Sequence, residues 1–273
     1  MPCRIRPWSI ALVLLAAGPL CGADLTVHLR SQTLKPDEGG HNRWEVISQE
    51  KSLKTEQTAM ILCDVWDKHW SRGATERVAA MAPRINEAVK AARAQGITII
   101  HCPSETMKFY ADTPARKRMQ EAPRAEVPPE VKHADPPQPV DSGDGGSDTN
   151  EKPWHLAWTR QHPAIEIDQQ KDGISDNGQE VWNFLVQKGI KNVVILGVHT
   201  NMCVLGRPFA IKTMVRRGMN VVLVRDLTDA MYNPARSPYV SHEDGTRLIV
   251  EYIEKFWCPT IASEDVLNGA KSR

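Results

Sequence analysis

Cys203, Asp64 and Lys171 are the side chains of this sequence that together could break a bond. A cysteine supplies a nucleophile. A carboxylate can take its proton and later return it to a leaving amine. An ammonium can hold both in place and offset their charge. Cys203 stands where a helix begins, and the partial positive charge and unpaired N–H groups of a helix N-terminus favour a thiolate. Backbone N–H groups in the turn before it can form an oxyanion hole. Taken singly, each residue has an ordinary reading: a small buried hydrophobe, a turn cap, a solvated lysine. Their placement at successive strand ends is what joins them.

The elements that place them follow from the apolar pattern. Ala59 to Cys63 reads as a buried strand ending at Asp64. Residues 75–95 carry Val78, Met81, Ile85, Ala88, Val89 and Ala92 at helical spacing, closed by Gly96. Ile97 to Ile100 is a second strand and Ala164 to Ile167 a third. A helix over 178–188 ends at Gly189 and leads into the β-branched run Val193 to Val198, a fourth strand buried on both faces. Beyond Cys203 one helix is expected up to Gly218, then a strand at Val221 to Val224, a helix near 242–256 and a short strand near Pro259 to Ala262. Strand and helix alternate, which implies a doubly wound α/β fold with a mainly parallel sheet and helices on both faces. Ligands bind such sheets beyond the carboxyl ends of the strands.

Residues 1–23 read as a secretory signal peptide, with Arg4 and Arg6 before the apolar Ile10 to Ala17 and small residues at Cys21 and Ala23. The mature chain is then exported, to a periplasmic or extracellular location, and free of the membrane. Residues 24–57 form a polar N-terminal extension with a hairpin signal at Gly39-Gly40, and 58–273 form the main domain. With 34 basic and 33 acidic residues, the charge balance gives no reason to expect nucleic acid as a partner. Four cysteines follow residue 23, and their scatter fits neither a metal cluster nor a disulfide scaffold. Cys63 and Cys102, ending adjacent strands, are a candidate pair in an oxidising compartment.

A proline-dense insertion at 103–162 interrupts the alternation, and a segment so long inside a compact domain is usually functional, often as a lid. Its aspartates 141, 144 and 148 lack the spacing of a calcium loop and read as a solvated turn.

AMILCDVWD, QEVWNFLVQKGIKNVVILGVHTNMCV and GMNVVLVRDLTDA resemble the isochorismatase-like cysteine hydrolases, which include nicotinamidases and N-carbamoylsarcosine amidases. The resemblance spans roughly 58–102 and 164–262 and omits the insertion. It implies a six-stranded parallel sheet of order 3-2-1-4-5-6 and an Asp–Lys–Cys triad onto which Asp64 and Cys203 map. It also implies a cis peptide between Val198 and His199, with the backbone N–H groups of His199 and Cys203 as oxyanion donors. The sequence departs from the family at the lysine: EIDQQKDGIS follows the third strand, leaving Lys171 as the nearest candidate and Lys152 as the second.

The reaction implied is hydrolysis of a C–N bond in a small molecule through a thioester, with no cofactor required. A vinyl-ether hydrolase and a non-catalytic binding protein on the same fold are the alternatives. Trp66, His69, His101, Thr200 and Tyr232 are the expected pocket residues, with Trp70 and His242 as further candidates. Some nicotinamidases hold a divalent metal, for which Asp67, His69 and His101 are the candidate ligands here. The family commonly self-associates, so a homo-oligomer is expected.

Overall fold

The computed structural model describes residues 24–271, with only the backbone of 270 and 271, so the signal-peptide reading lies outside the described residues. In chain order the strands are β1 (Asp24–Pro36), β2 (Asn42–Lys54), β3 (Thr58–Cys63), β4 (Thr98–Cys102), β5 (Gly173–Ile174), β6 (Asn192–Val198), β7 (Asn220–Asp229) and β8 (Thr260–Ile261). The helices are α1 (Arg72–Ala94), α2 (Met107–Tyr110), α3 (Pro114–Gln120), α4 (Gly178–Gln187), α5 (Cys203–Gly206), α6 (Ile211–Arg216), α7 (His242–Phe256) and α8 (Ser263–Lys271).

One eight-stranded sheet runs β2-β1-β8-β7-β6-β3-β4-β5. From β8 to β5 every pairing is parallel, and these six strands have the order 3-2-1-4-5-6. The strand count exceeds the expected six because the N-terminal extension folds as a long antiparallel hairpin, turning at Gly40 (φ +81°), and β1 pairs with β8. Alternate residues of the central strands feed two apolar layers. Ala59, Ile61, Val193 and Ile195 face α4, α6 and α7, whereas Met60, Leu62, Val194 and Leu196 face α1. The two-sided burial that made these runs legible follows from helices on both faces.

Two expected elements differ. The third strand is Gly173–Ile174, not Ala164–Ile167. Ile165 joins the α1-side layer from irregular chain. The helix beyond Cys203 is broken into α5 and α6 at Arg207-Pro208. A proline disfavours the helical conformation of the residue before it, and Arg207 is extended (φ −62°, ψ 153°).

The insertion is pinned along its length. Trp182 Nε1 donates to Glu126 O (2.8 Å), Val131 N to Arg216 O (2.7 Å), Lys212 Nζ to Asp135 (2.6 Å) and Gln138 Nε2 to Asn201 O (2.9 Å). Asp141 is engaged by Arg236, Asp144 by Asn233, and Asp148 by Arg77. Cys63 and Cys102 stand side by side in register yet remain separate thiols within one apolar layer, which corrects the disulfide expectation.

Candidate active site

The site forms where β3 and β6 end side by side. Cys63 pairs with Gly197, so the two chains leave the sheet together. Gly197 has φ +116°, and a Cβ there would come within 2.0 Å of the Cys63 carbonyl oxygen. Asp64 follows at φ +49°, a left-handed conformation that a non-glycine residue holds only where the surroundings impose it. On the other rail the Val198–His199 bond is cis. The turn that follows delivers Cys203 to the start of α5.

Asp64 is fully buried. Its Oδ1 accepts the Ser104 backbone N–H (2.8 Å) and its Oδ2 accepts Arg207 Nε (2.8 Å). The Cys203 thiol stands near enough for the two groups to shift each other's titration. Burial raises the carboxyl above its ordinary range, against the opposing pull of Arg207 and Ser104. The Cys203 thiol is likewise pushed up, first by burial and then by the Asp64 charge, while Arg207 and the His199 N–H pull it down. This corrects the expected resting thiolate. α5 is a single turn, too short for a helix dipole to outweigh burial beside a carboxylate. The His199 N–H points at the thiol, and the Cys203 N–H has no partner among the described residues. The Cys203 N–H is thus open, while the His199 N–H is engaged by the sulfur.

The cation on Asp64 is Arg207, which the sequence reading missed. Lys171 is 70 % exposed, and its ammonium lies 3.9 Å from Asp168, away from the site; Lys152 is exposed on the insertion. Arg207 is four residues past the nucleophile, and the Pro208 break frees it from the helix. The Arg-Pro pair so near Cys203 was the signal available.

A cavity of about 340 Å³ opens over Cys203, lined by Trp66, His69, Trp70, His199 and Arg207, with Glu105, Trp154, His155, Leu156 and Trp158 from the insertion. Trp66 and Trp158 stack at 4.1 Å. Trp66 and His69 are therefore where the sequence put them. His101, Thr200 and Tyr232 are not: all three are sealed in the interior. His101 bridges Gln161 and Asp172, Thr200 bonds Thr228, and the Tyr232 hydroxyl donates to Arg236 O. His242 is held by Asp229 and Tyr232 O, behind the pocket. The insertion is a wall of the pocket, anchored at many points.

The suggested metal ligands do not converge. Asp67 accepts from the Thr159 amide and hydroxyl and the Arg160 amide, His101 is committed inside, and His69 packs among tryptophans. Among the described residues no group of three or more His, Cys, Asp or Glu side chains is placed to hold a metal ion. None of the described helices is long and apolar enough to cross a membrane.

A doubly wound sheet with this cysteine at its carboxyl end defines the class: a cysteine-hydrolase fold. Residues 58–237 match the isochorismatase domain, and the chain belongs to the isochorismatase family. A cysteine hydrolase from Pseudomonas syringae pv. phaseolicola 1448A shares the fold at 18 % identity, covering 81 % of this chain and 95 % of that one, with a TM-score of 0.51. An isochorismatase family protein from Burkholderia thailandensis aligns at 16 % identity over 79 % and 96 % of the two chains, with a TM-score of 0.45. No curated protein is matched.

Proposed function

We propose that the protein hydrolyses a C–N amide-type bond of a small molecule through a thioester at Cys203. Asp64 takes the thiol proton as sulfur attacks the carbonyl carbon. The His199 and Cys203 N–H groups receive the oxyanion. The intermediate collapses, the C–N bond breaks, and Asp64 gives its proton to the leaving amine. Asp64 then draws a proton from water, which cleaves the thioester and restores the thiol. The carbonyl polarity needed lies in backbone donors, so this reading requires no cofactor.

The observation that carries it is the meeting of Asp64 with the Cys203 thiol and the Arg207 guanidinium, beneath a cavity that Cys203 and Arg207 line. An acid–base carboxylate has to change its protonation during turnover, and a thiol partner with a raised pKa gives it that role. Ammonia release from a panel of amides, ureas and carbamoyl compounds is the test. Cys203→Ala should lower turnover of any hit by about 1,000-fold or more. A Cys203→Ala variant with full activity would refute the mechanism. We also read the chain as exported after removal of residues 1–23, so the mature protein should begin at Asp24 by mass. Self-association, as in relatives, is part of the same reading and is checked by light scattering.

A further inference from the structure

The sheet has a gap just before β8. This strand lies between β7 and β1 but is only two residues long, and its pairing with β7 starts at Leu223 opposite Thr260. Asn220 N donates to Lys191 O, toward β6, and Leu223 N donates to Pro259 O, toward β8. Backbone groups alternate sides along a strand, so the N–H and C=O of Val221 face the β8 side as those of Leu223 do. One step back along the ladder, Val221 N would donate to Trp257 O, and that bond is not formed. The companion bond would run from the nitrogen of Pro259 to Val221 O, and proline has no N–H to give. Val221 therefore keeps a donor and an acceptor without partners among the described residues, although the residue is only 4 % exposed. A cavity of about 240 Å³ opens at this gap. Leu29, Leu53 and Val222 bring to it the α1-side apolar layer, and Val221 and Trp257 bring the other layer, against which Met219 packs. Lys51 is the one charged side chain among the described lining residues, and its ammonium has no partner among the described residues. The gap lies where the parallel strands begin, at the end of the sheet away from Cys203, and its walls from the hairpin and from 257–259 fall outside the isochorismatase-domain match.

We propose that this gap is a second binding site, for a small carboxylate that carries an amide and an apolar body, the chemistry of an acylated apolar amino acid. The guest's amide takes the place of the missing β8 residues. Its carbonyl accepts from Val221 N–H and its N–H donates to Val221 O, as an added strand would. The carboxylate meets the Lys51 ammonium, and the apolar body lies against Met219 and Trp257. A backbone donor and acceptor held away from bulk water without partners are costly, so a guest that satisfies both is favoured over one that only fills the space. The site is separate from the reaction centre and does not rest on the hydrolase reading.

The test titrates Cys203→Ala protein, which spares an amide from turnover, by calorimetry with three compounds. They are N-acetyl-leucine, N-acetyl-leucinamide, which lacks the charge, and isocaproate, which lacks the amide. N-acetyl-leucine should bind about 10-fold or more tighter than either of the others. Adding Lys51→Met should erase its advantage over the uncharged compound. Adding Pro259→Ala supplies the missing N–H, which then competes for Val221 O, and should weaken N-acetyl-leucine binding about 5-fold. In amide-correlation NMR of the otherwise unaltered protein, the Val221 amide proton should move downfield as N-acetyl-leucine is added. Iodoacetamide alkylation of Cys203, which blocks the reaction cavity, should leave the affinity as it was. No binding, equal affinity for the three compounds, a charge preference that survives Lys51→Met, undiminished affinity in Pro259→Ala, or an unmoved Val221 amide would each overturn the proposal. Loss of binding on Cys203 alkylation would overturn it too, by placing the guest in the reaction cavity.

Discussion

Arg207 Nε lies 2.8 Å from Asp64 Oδ2, across 143 residues of chain, and this pair stands where the family pattern has a lysine. The two cations differ. A guanidinium never gives up its proton and binds a carboxylate through a planar fork, while an ammonium is a compact point charge. The Asp64 charge holds Arg207 even more firmly protonated than usual, in spite of burial. The site therefore keeps its positive charge throughout a proton-transfer cycle.

Arg207→Met should leave a fully buried carboxylate without its counter-ion. Unfolding free energy should fall by about 3 kcal/mol, and turnover should fall about 100-fold or more as Asp64 becomes harder to ionise. Arg207→Lys should recover part of both. Urea denaturation and ammonia release measure the two effects. Undiminished activity in Arg207→Met would remove the guanidinium from the mechanism.

Lys171→Met should be silent. The side chain is largely in water and its contact with Asp168 is long. Stability should change by less than about 0.5 kcal/mol, and kcat/KM should be unchanged. A large loss of kcat would return the lysine to the mechanism.

Asp64→Asn should separate catalysis from thiol reactivity. It removes the acid–base group, so hydrolysis should fall about 1,000-fold. It also removes a negative charge that holds the Cys203 thiol up. Iodoacetamide labelling of Cys203 near pH 8 should accordingly speed up while turnover collapses. Labelling that slows in parallel with turnover would mean that the carboxylate activates the sulfur even toward alkylation.

Acid should destabilise the fold in a defined window. Burial lowers His69 to about 4, and burial with the neighbouring His69 lowers His199 to about 3, from an ordinary value of 6.5. The unfolded chain binds these protons first. The stability tied to the neutral rings is thus complete above about 6.5 and drains as pH falls toward 4 and below. His242 runs the other way. Burial opposes its charge, but the hydrogen bond and charge of Asp229 outweigh burial and raise its pKa. Its contribution is full below 6.5 and is lost as pH rises through that raised value. Below pH 6, His69→Phe should flatten the fall by about 1.4 kcal/mol per pH unit. Urea midpoints at a series of pH values measure the slope, and an unchanged slope would mean that His69 titrates normally in the fold.

The central strands were legible because helices bury both of their faces, so β-branched runs end in polar residues at the ligand side. Asp64 and Cys203 sit at such ends, and Gly39-Gly40 announced the hairpin turn. Short elements were not legible: Gly173–Ile174 is two residues and has no period to read, while Ile165 advertised a strand that irregular chain provides instead. Arg207 escaped notice because its role depends on Pro208 ending α5 after one turn, which swings a residue that would lie along a helix toward Asp64. The tryptophans of the insertion were invisible as pocket residues because their placement depends on anchors scattered along the chain, among them Arg77–Asp148.

Gly197 seated on the Cys63 carbonyl makes the mounts of acid and nucleophile a single mechanical part. Neither strand end can slide or tilt alone, because there is no side-chain volume between them to absorb it. Thermal loosening of the reactive geometry should then coincide with loss of the sheet itself. In hydrogen–deuterium exchange, the amides of 196–198 should be as slow as those of 60–62 and should let go at the same temperature. Activity would vanish in one step with global melting rather than fade beforehand, and a Gly197→Ala change would be felt equally by both halves of the reaction centre.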